Sequence, residues 1–160
     1  MEMKGFVHTR IDARLIHGQV AGMWSGFLKI TRIMVVDDTI ANDDTQKSLL
    51  RMVAPTGVAT SIITKEKALE NIKAEKYKNQ RVLLLVKEPK YLQYFIENGL
   101  ELPEFNVGNM ATREGSRRIT SSISVTGEEE AIFHSLIDRG VKITVQMVPR
   151  DSVKMLKDLL

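Results

Sequence analysis

Five consecutive apolar residues, VLLLV at 82–86, leave no polar side on which water could sit. A strand of that kind belongs inside a parallel sheet covered on both faces, not in a sheet with one wet face. RIMVV at 32–36 repeats the pattern. A run of this length is also far too short to span a bilayer, which takes about 20 apolar residues in a helix.

Strand-like and helix-like segments alternate around these two runs. FVHTR at 6–10 is a short extended segment, and GQVAGMWSGFL at 18–28 has helical spacing. Asn42 or Asp43 caps a helix carrying Leu49, Leu50 and Val53 that stops before Pro55. VATSIIT at 58–64 reads as strand, and Thr64 caps a helix with Ala68, Leu69 and Ile72 on one side. Pro89 opens the helix at 89–98 and Gly99 closes it. FNVGN at 105–109 and SISV at 122–125 are short strands. Thr126 and Glu129 form a capping box for a helix that ends at Gly140. VKITVQMV at 141–148 alternates like a strand, and Asp151 is expected to cap a final amphipathic helix running to Leu160.

Repeated β-then-α units over 160 residues predict one α/β domain, 1–160. Its central sheet should be mostly parallel, with about six or seven strands and helices on both faces. Ligands of such sheets bind at the carboxyl ends of the strands. That directs attention to 10–18, 37–42, 87–89 and 108–116.

Composition narrows the chemistry. The chain has no cysteine, which excludes disulfides and thiolate metal sites and fits a reducing compartment. The N-terminal segment lacks the apolar run of a signal peptide. Net charge is +3, from scattered lysines and arginines, with one tryptophan and no zinc, RRM or KH pattern, so nucleic acid is not an expected partner. Three widely spaced histidines make no recognisable metal set.

The segment 10–20, RIDARLIHGQV, places two arginines, an aspartate and a histidine between a strand and a helix. Neutral imidazole is a good nucleophile near pH 7, with a pKa of about 6.5. A phosphoryl group in flight spreads negative charge over three oxygens and needs positive charge and N–H donors. Arg10 and Arg14 can supply the charge. The amides of Gly18, Gln19 and Val20 open the next helix and favour an anion. Gly18 lets a phosphate approach closely. Asp12 either orients the His17 ring or pairs with Arg14 or Arg10 to hold the loop.

This eleven-residue string resembles the phosphorylation loop of the IIB components of the bacterial phosphoenolpyruvate:sugar phosphotransferase system (PTS), in the mannose/fructose/sorbose family. The resemblance continues through Trp24, RIMVVDD at 32–38, LLRMVAPTGV at 49–58, VLLLV, FNVGNM at 105–110, ITSSISV at 119–125 and GVKITVQMVPRD at 140–151. It implies a cytoplasmic phosphoryl carrier, peripheral to the membrane through its partners. A IIA partner would charge His17 at Nδ1, with the arginine matching Arg14 beside the phosphoryl group. The sugar would then be phosphorylated during uptake through the membrane components IIC and IID. No metal or other cofactor is implied, and a homodimer is compatible. Ala13 stands where many members carry an acidic or polar residue, and Asn109 where a second glycine is common. The site histidine is expected to be partly exposed, on a loop that can enter two partners' sites.

Other residues carry weaker signals. Asp37 and Asp38 follow a buried strand and either line the site rim, with Asn109, or cap and solvate their loop. His8 reads as packing or surface, His134 as surface or boundary, and Trp24 as core or interface. Lys87 reads as surface, and Ser116, Arg117 and Arg118 are candidate phosphate or partner contacts. A receiver-like regulatory domain is the competing function, suggested by IMVVDD at 33–38. Against it, the strand ending at Thr64 lacks the aspartate that would accept a phosphoryl group. A non-catalytic partner of a membrane complex, with His17 inert, is the other alternative.

Overall fold

β1 (Phe6–Asp12) runs through the middle of a seven-stranded sheet, and the computed structural model arranges the rest of the chain around it. It describes residues 1–160, Gln19 excepted. After β1 come α1 (Gly18–Leu28), β2 (Arg32–Val36), α2 (Asp44–Met52), β3 (Ala59–Ile63), α3 (Lys65–Lys73), β4 (Val82–Val86) and α4 (Pro89–Glu97). Then follow β5 (Glu104–Asn109), β6 (Ser116–Arg118), β7 (Ser124–Thr126), α5 (Gly127–Asp138), β8 (Lys142–Val145) and β9 (Lys154–Met155). The sheet order is β3-β2-β4-β1-β5-β8-β9, parallel throughout except that β9 runs antiparallel to β8. β6 and β7 form a separate antiparallel hairpin.

The apolar runs go where their composition sends them. All five residues of β4 are buried, between β2 and β1. One face of the sheet packs Ile11, Met34, Leu84 and Val107 against Ala68 and Ile72 of α3, Leu92 and Phe95 of α4 and Phe133 and Leu136 of α5. The other face packs Ile33, Val35, Leu83 and Leu85 against Ala21 and Trp24 of α1 and the loop residues Leu15 and Ile16. Helices thus lie on both faces, as the alternation requires. No helix among the described residues is long and apolar enough to cross a membrane.

Local chemistry fixes the helix ends. Asp43 accepts from the Gln46 amide at 3.1 Å to start α2. Thr126 and Glu129 exchange both bonds of a capping box at the start of α5. α2 holds only loosely to the sheet: none of its residues is fully buried, and Leu49 and Met52 are exposed.

Two sequence expectations are corrected. The strand expected at 141–148 ends at Val145, because Gln146 turns the chain: its Nε2 donates to the carbonyls of Pro149 and Asp151. The amphipathic helix expected from Asp151 to Leu160 does not form. Asp151 instead accepts from the Val148 amide at 3.3 Å and closes that turn. Lys154 and Met155 then pair with the open edge of β8, and a short 3₁₀ turn, Leu156–Asp158, buries Leu156 completely. A helix of about ten residues is marginal by itself, and a free sheet edge with a pocket for Leu156 outcompetes it.

Candidate active site

β1 and β5 leave the sheet side by side, and the chain departs from them on opposite faces. That makes a crevice at their carboxyl ends of the kind where open α/β sheets bind ligands. The 10–20 segment fills it. Asp12, the last residue of β1, is in register with Asn109 and buried. Its backbone carbonyl accepts from the Leu15 amide at 3.0 Å and its Oδ1 from the Arg14 amide at 2.9 Å, a tight turn tied by one side chain. Leu15 takes a left-handed φ of 58° with its side chain buried. The apolar contacts of Leu15 and Ile16 hold this strained turn and present His17 as the N-cap of α1.

His17 Nε2 lies 2.9 Å from Asp12 Oδ2. A carboxylate only accepts, so Nε2 carries a proton, and in the neutral ring the lone pair is on Nδ1. The ring is 13% exposed. Gly18 has a φ of 40°, which glycine adopts without strain, and open space where a Cβ would stand. The first helical hydrogen bond runs from the Ala21 amide to the His17 carbonyl, so the amides of Gly18 and Val20 precede it without intrahelical acceptors. Gln19 lies outside the described residues. No acidic residue opposes an anion in this first turn.

The two arginines part company. Arg14 is exposed at the crevice mouth. Arg10, expected to supply charge directly, is 1% exposed and lies beneath the site, which corrects that expectation. Its Nε donates to Asp12 Oδ2 at 3.3 Å, the same oxygen that holds His17. Its Nη1 donates to Asn106 Oδ1 at 2.7 Å and to the Gln146 carbonyl at 2.8 Å. Nη2 is buried without a partner among the described residues. Burial lowers the Arg10 pKa from its ordinary value, and the charge of Asp12 and the hydrogen bond to it oppose that shift. Trp24 lies 5.4 Å from the guanidinium carbon, and a Cβ on Gly108 would collide with Arg10 Cζ and Nη2. Asp12 thus contacts the ring and an arginine through the same oxygen.

Asp37 and Asp38 do not join this cluster. Asp37 Oδ1 accepts from the amides of Thr39 and Ile40, capping the 3₁₀ turn Ile40–Asn42. Asp38 takes the backbone amide and the ammonium of Lys65; burial, the largest single influence, raises its carboxyl, but these two bonds and the charges of Lys65 and Lys90 together hold it below the ordinary value. These bonds replace the rim role with a structural one. Asn109 does reach the site, through its carbonyl, which accepts from the Ala13 amide at 3.0 Å. Its φ is not positive, so the missing glycine costs nothing there. Arg117 pairs with Glu130 on α5, Ser116 bonds to Arg113, and Arg118 and Lys87 are exposed. His134 is exposed beside Glu130, and Trp24 is buried. Asn106, Gly108 and Gln146 were not anticipated. For Asn106 and Gly108 the signal is a polar residue and a glycine two apart on one face of the buried strand FNVGN; Gln146, just after β8, carries none.

The family model for the sorbose subfamily IIB component of the PTS matches residues 6–160. The chain belongs to that family. The chain is 36% identical over 152 residues to the mannose-specific EIIAB component of Escherichia coli strain K12, covering 95% of itself and 47% of that protein. It thus spans about half the length of that relative. To the fructose-specific EIIB component of Bacillus subtilis strain 168 it is 35% identical, covering 94% of itself and 92% of the relative. Among solved structures, the IIBSor domain of the sorbose permease from Klebsiella pneumoniae superposes with a TM-score of 0.91 at 31% identity, covering 96% of this chain and 94% of that one. The architecture described above is thus shared with a solved IIB domain.

Proposed function

We propose that this IIB component carries a phosphoryl group on His17 Nδ1, taken from a phosphorylated IIA partner and passed to a sugar held by the IIC and IID membrane components. The single observation that carries the reading is the 2.9 Å bond between His17 Nε2 and Asp12, which leaves Nδ1 as the nucleophilic nitrogen at the mouth of a helix N-terminus. A thiol acceptor is not open to a chain without cysteine.

In the first step the Nδ1 lone pair forms a bond to phosphorus as the donor's N–P bond breaks, and the electron pair returns to the donor nitrogen. The Nε2 proton stays in place, and Asp12 offsets the positive charge the ring acquires. The amides opening α1 and the exposed Arg14 receive the phosphoryl oxygens. In the second step a sugar hydroxyl oxygen bonds to phosphorus, the N–P bond breaks and its pair returns to Nδ1. The hydroxyl proton leaves through the sugar-binding component. No metal takes part. Such a protein works in the cytoplasm at the inner face of the membrane.

The receiver alternative needs an open acidic pair, whereas Asp37 and Asp38 are engaged by backbone amides and Lys65. Intact mass after incubation with phosphoenolpyruvate, the general PTS proteins and a IIA domain tests the proposal. One phosphoryl group, acid-labile and alkali-stable and absent from His17→Ala, is expected. An adduct labile to both and retained in the variant points to an acyl phosphate and refutes it.

A further inference from the structure

Arg10 is the largest fully buried side chain among the described residues. It touches Asp12. We propose that Asn106 and Trp24 are positioning residues for His17, acting through Arg10. The functional consequence rests on the carrier reading given above.

The Arg10 Nε contact to Asp12 Oδ2, at 3.3 Å, lies beyond the usual range for N–H donors. A contact that long does not orient a guanidinium; something else must. Asn106 Oδ1 accepts from Nη1 at 2.7 Å, and reversing the carboxamide would set its NH2 group against that donor; Nδ2 points to Thr144 Oγ1 at 3.3 Å. The Gln146 carbonyl grips the same Nη1 at 2.8 Å. Trp24 lies across both Arg10 and His8, stacked on the His8 ring at 4.5 Å, and is pinned by Nε1 donating to the Met147 carbonyl at 2.9 Å. Gly108 leaves room on the remaining side. β5, the turn after β8 and α1 thus converge on one guanidinium, whose Nε faces the carboxylate that orients His17.

Trp24 and His17 also share α1, seven residues apart, so the indole links the helix start to the strand ends. Remove the grip and Arg10 Nε leaves Asp12 Oδ2. The carboxylate can then rotate about its Oδ1 bond to the Arg14 amide, and the imidazole loses its single acceptor geometry. The ring then samples both tautomers, and in one of them Nδ1 carries the proton and cannot attack.

Long-range ¹H–¹⁵N correlation of the imidazoles in the uniformly labelled full chain reads this directly, with the His17 signals assigned by their loss in His17→Gln. The wild type should show the Nε2–H tautomer alone. Asn106→Ala should show a mixture, and its rate of phosphoryl uptake from IIA should fall about 10–100-fold, the usual effect of losing a partner that orients a functional ligand. The KM for phospho-IIA should stay unchanged. Trp24→Phe keeps an aromatic face over Arg10 and should retain the single tautomer, whereas Trp24→Leu should not. Should Asn106→Ala fail to fold by circular dichroism, the two Trp24 variants decide. A wild-type tautomer in folded Asn106→Ala, or in Trp24→Leu, overturns the proposal, as does a lost rate with an unchanged tautomer. If the wild type takes no phosphoryl group, the carrier reading fails, and the tautomers still decide the positioning role.

Discussion

Replacing His8 by phenylalanine should flatten the acid side of the protein's stability curve. Burial, reinforced by the charge of Arg10, pushes the His8 pKa down to about 4, and Nε2 is buried without a hydrogen-bond partner among the described residues. The folded value lies below the unfolded one, so the unfolded chain takes up the proton first. The stability tied to this group is therefore complete above about pH 6.5 and is lost progressively as the pH falls toward 4. Between pH 7 and pH 5 a histidine so shifted removes about 2 kcal/mol. Phenylalanine keeps the stack on Trp24 and has nothing to titrate. Urea unfolding at the two pH values, followed by circular dichroism and by the fluorescence of the single tryptophan, measures the difference. With a slope of about 2 kcal/mol per molar urea, the wild-type midpoint should drop by roughly 1 M more than the variant's. Carboxylates titrate in both proteins and cancel in the comparison. Equal drops in the two proteins refute a His8 held neutral by desolvation.

Three further outcomes follow from the site and its surroundings. Asp12→Asn puts a group that can also donate beside Nε2, and phosphoryl uptake by His17 should fall about 100-fold in a rapid-quench assay, the cost of a misplaced reacting group. Asp37→Ala removes the cap of the Ile40–Asn42 turn and should cost about 1 kcal/mol in urea unfolding while leaving phosphoryl uptake unchanged. Leu156→Ala opens a cavity at the fully buried C-terminal turn and should cost about 2–5 kcal/mol, a loss that an exposed helix end could not produce.

Where a feature is written in neighbouring residues, the sequence is sufficient to find it. VLLLV carries its own burial on both faces, and Thr126 with Glu129 specifies a helix start within four residues. The site histidine and its aspartate lie five apart in one loop, so the string 10–20 discloses them together. Arg10 is a different case. Its partners Asn106 and Gln146 are 96 and 136 residues away, and only the placing of β5 beside β1 and β8 beside β5 brings them to it. An arginine next to a phosphoryl-type loop therefore reads as a surface charge, and its burial is a tertiary fact. The same holds at the C-terminus, where the apolar spacing of 151–160 suits a helix until the unpaired edge of β8 is known. Asp37 and Asp38 follow a buried strand as site residues often do, but the amides and the lysine that occupy them arrive from the next turn and from α3.

The most direct test of the account is to locate the phosphoryl group on the ring. ³¹P and ¹⁵N spectra of the phosphorylated, ¹⁵N-histidine-labelled protein separate the two isomers of phosphohistidine. The hydrogen bond from Nε2 to Asp12 predicts a single phosphoryl group on Nδ1 of His17, with Nε2 still protonated. A phosphoryl group on Nε2, or on His8 or His134, contradicts it.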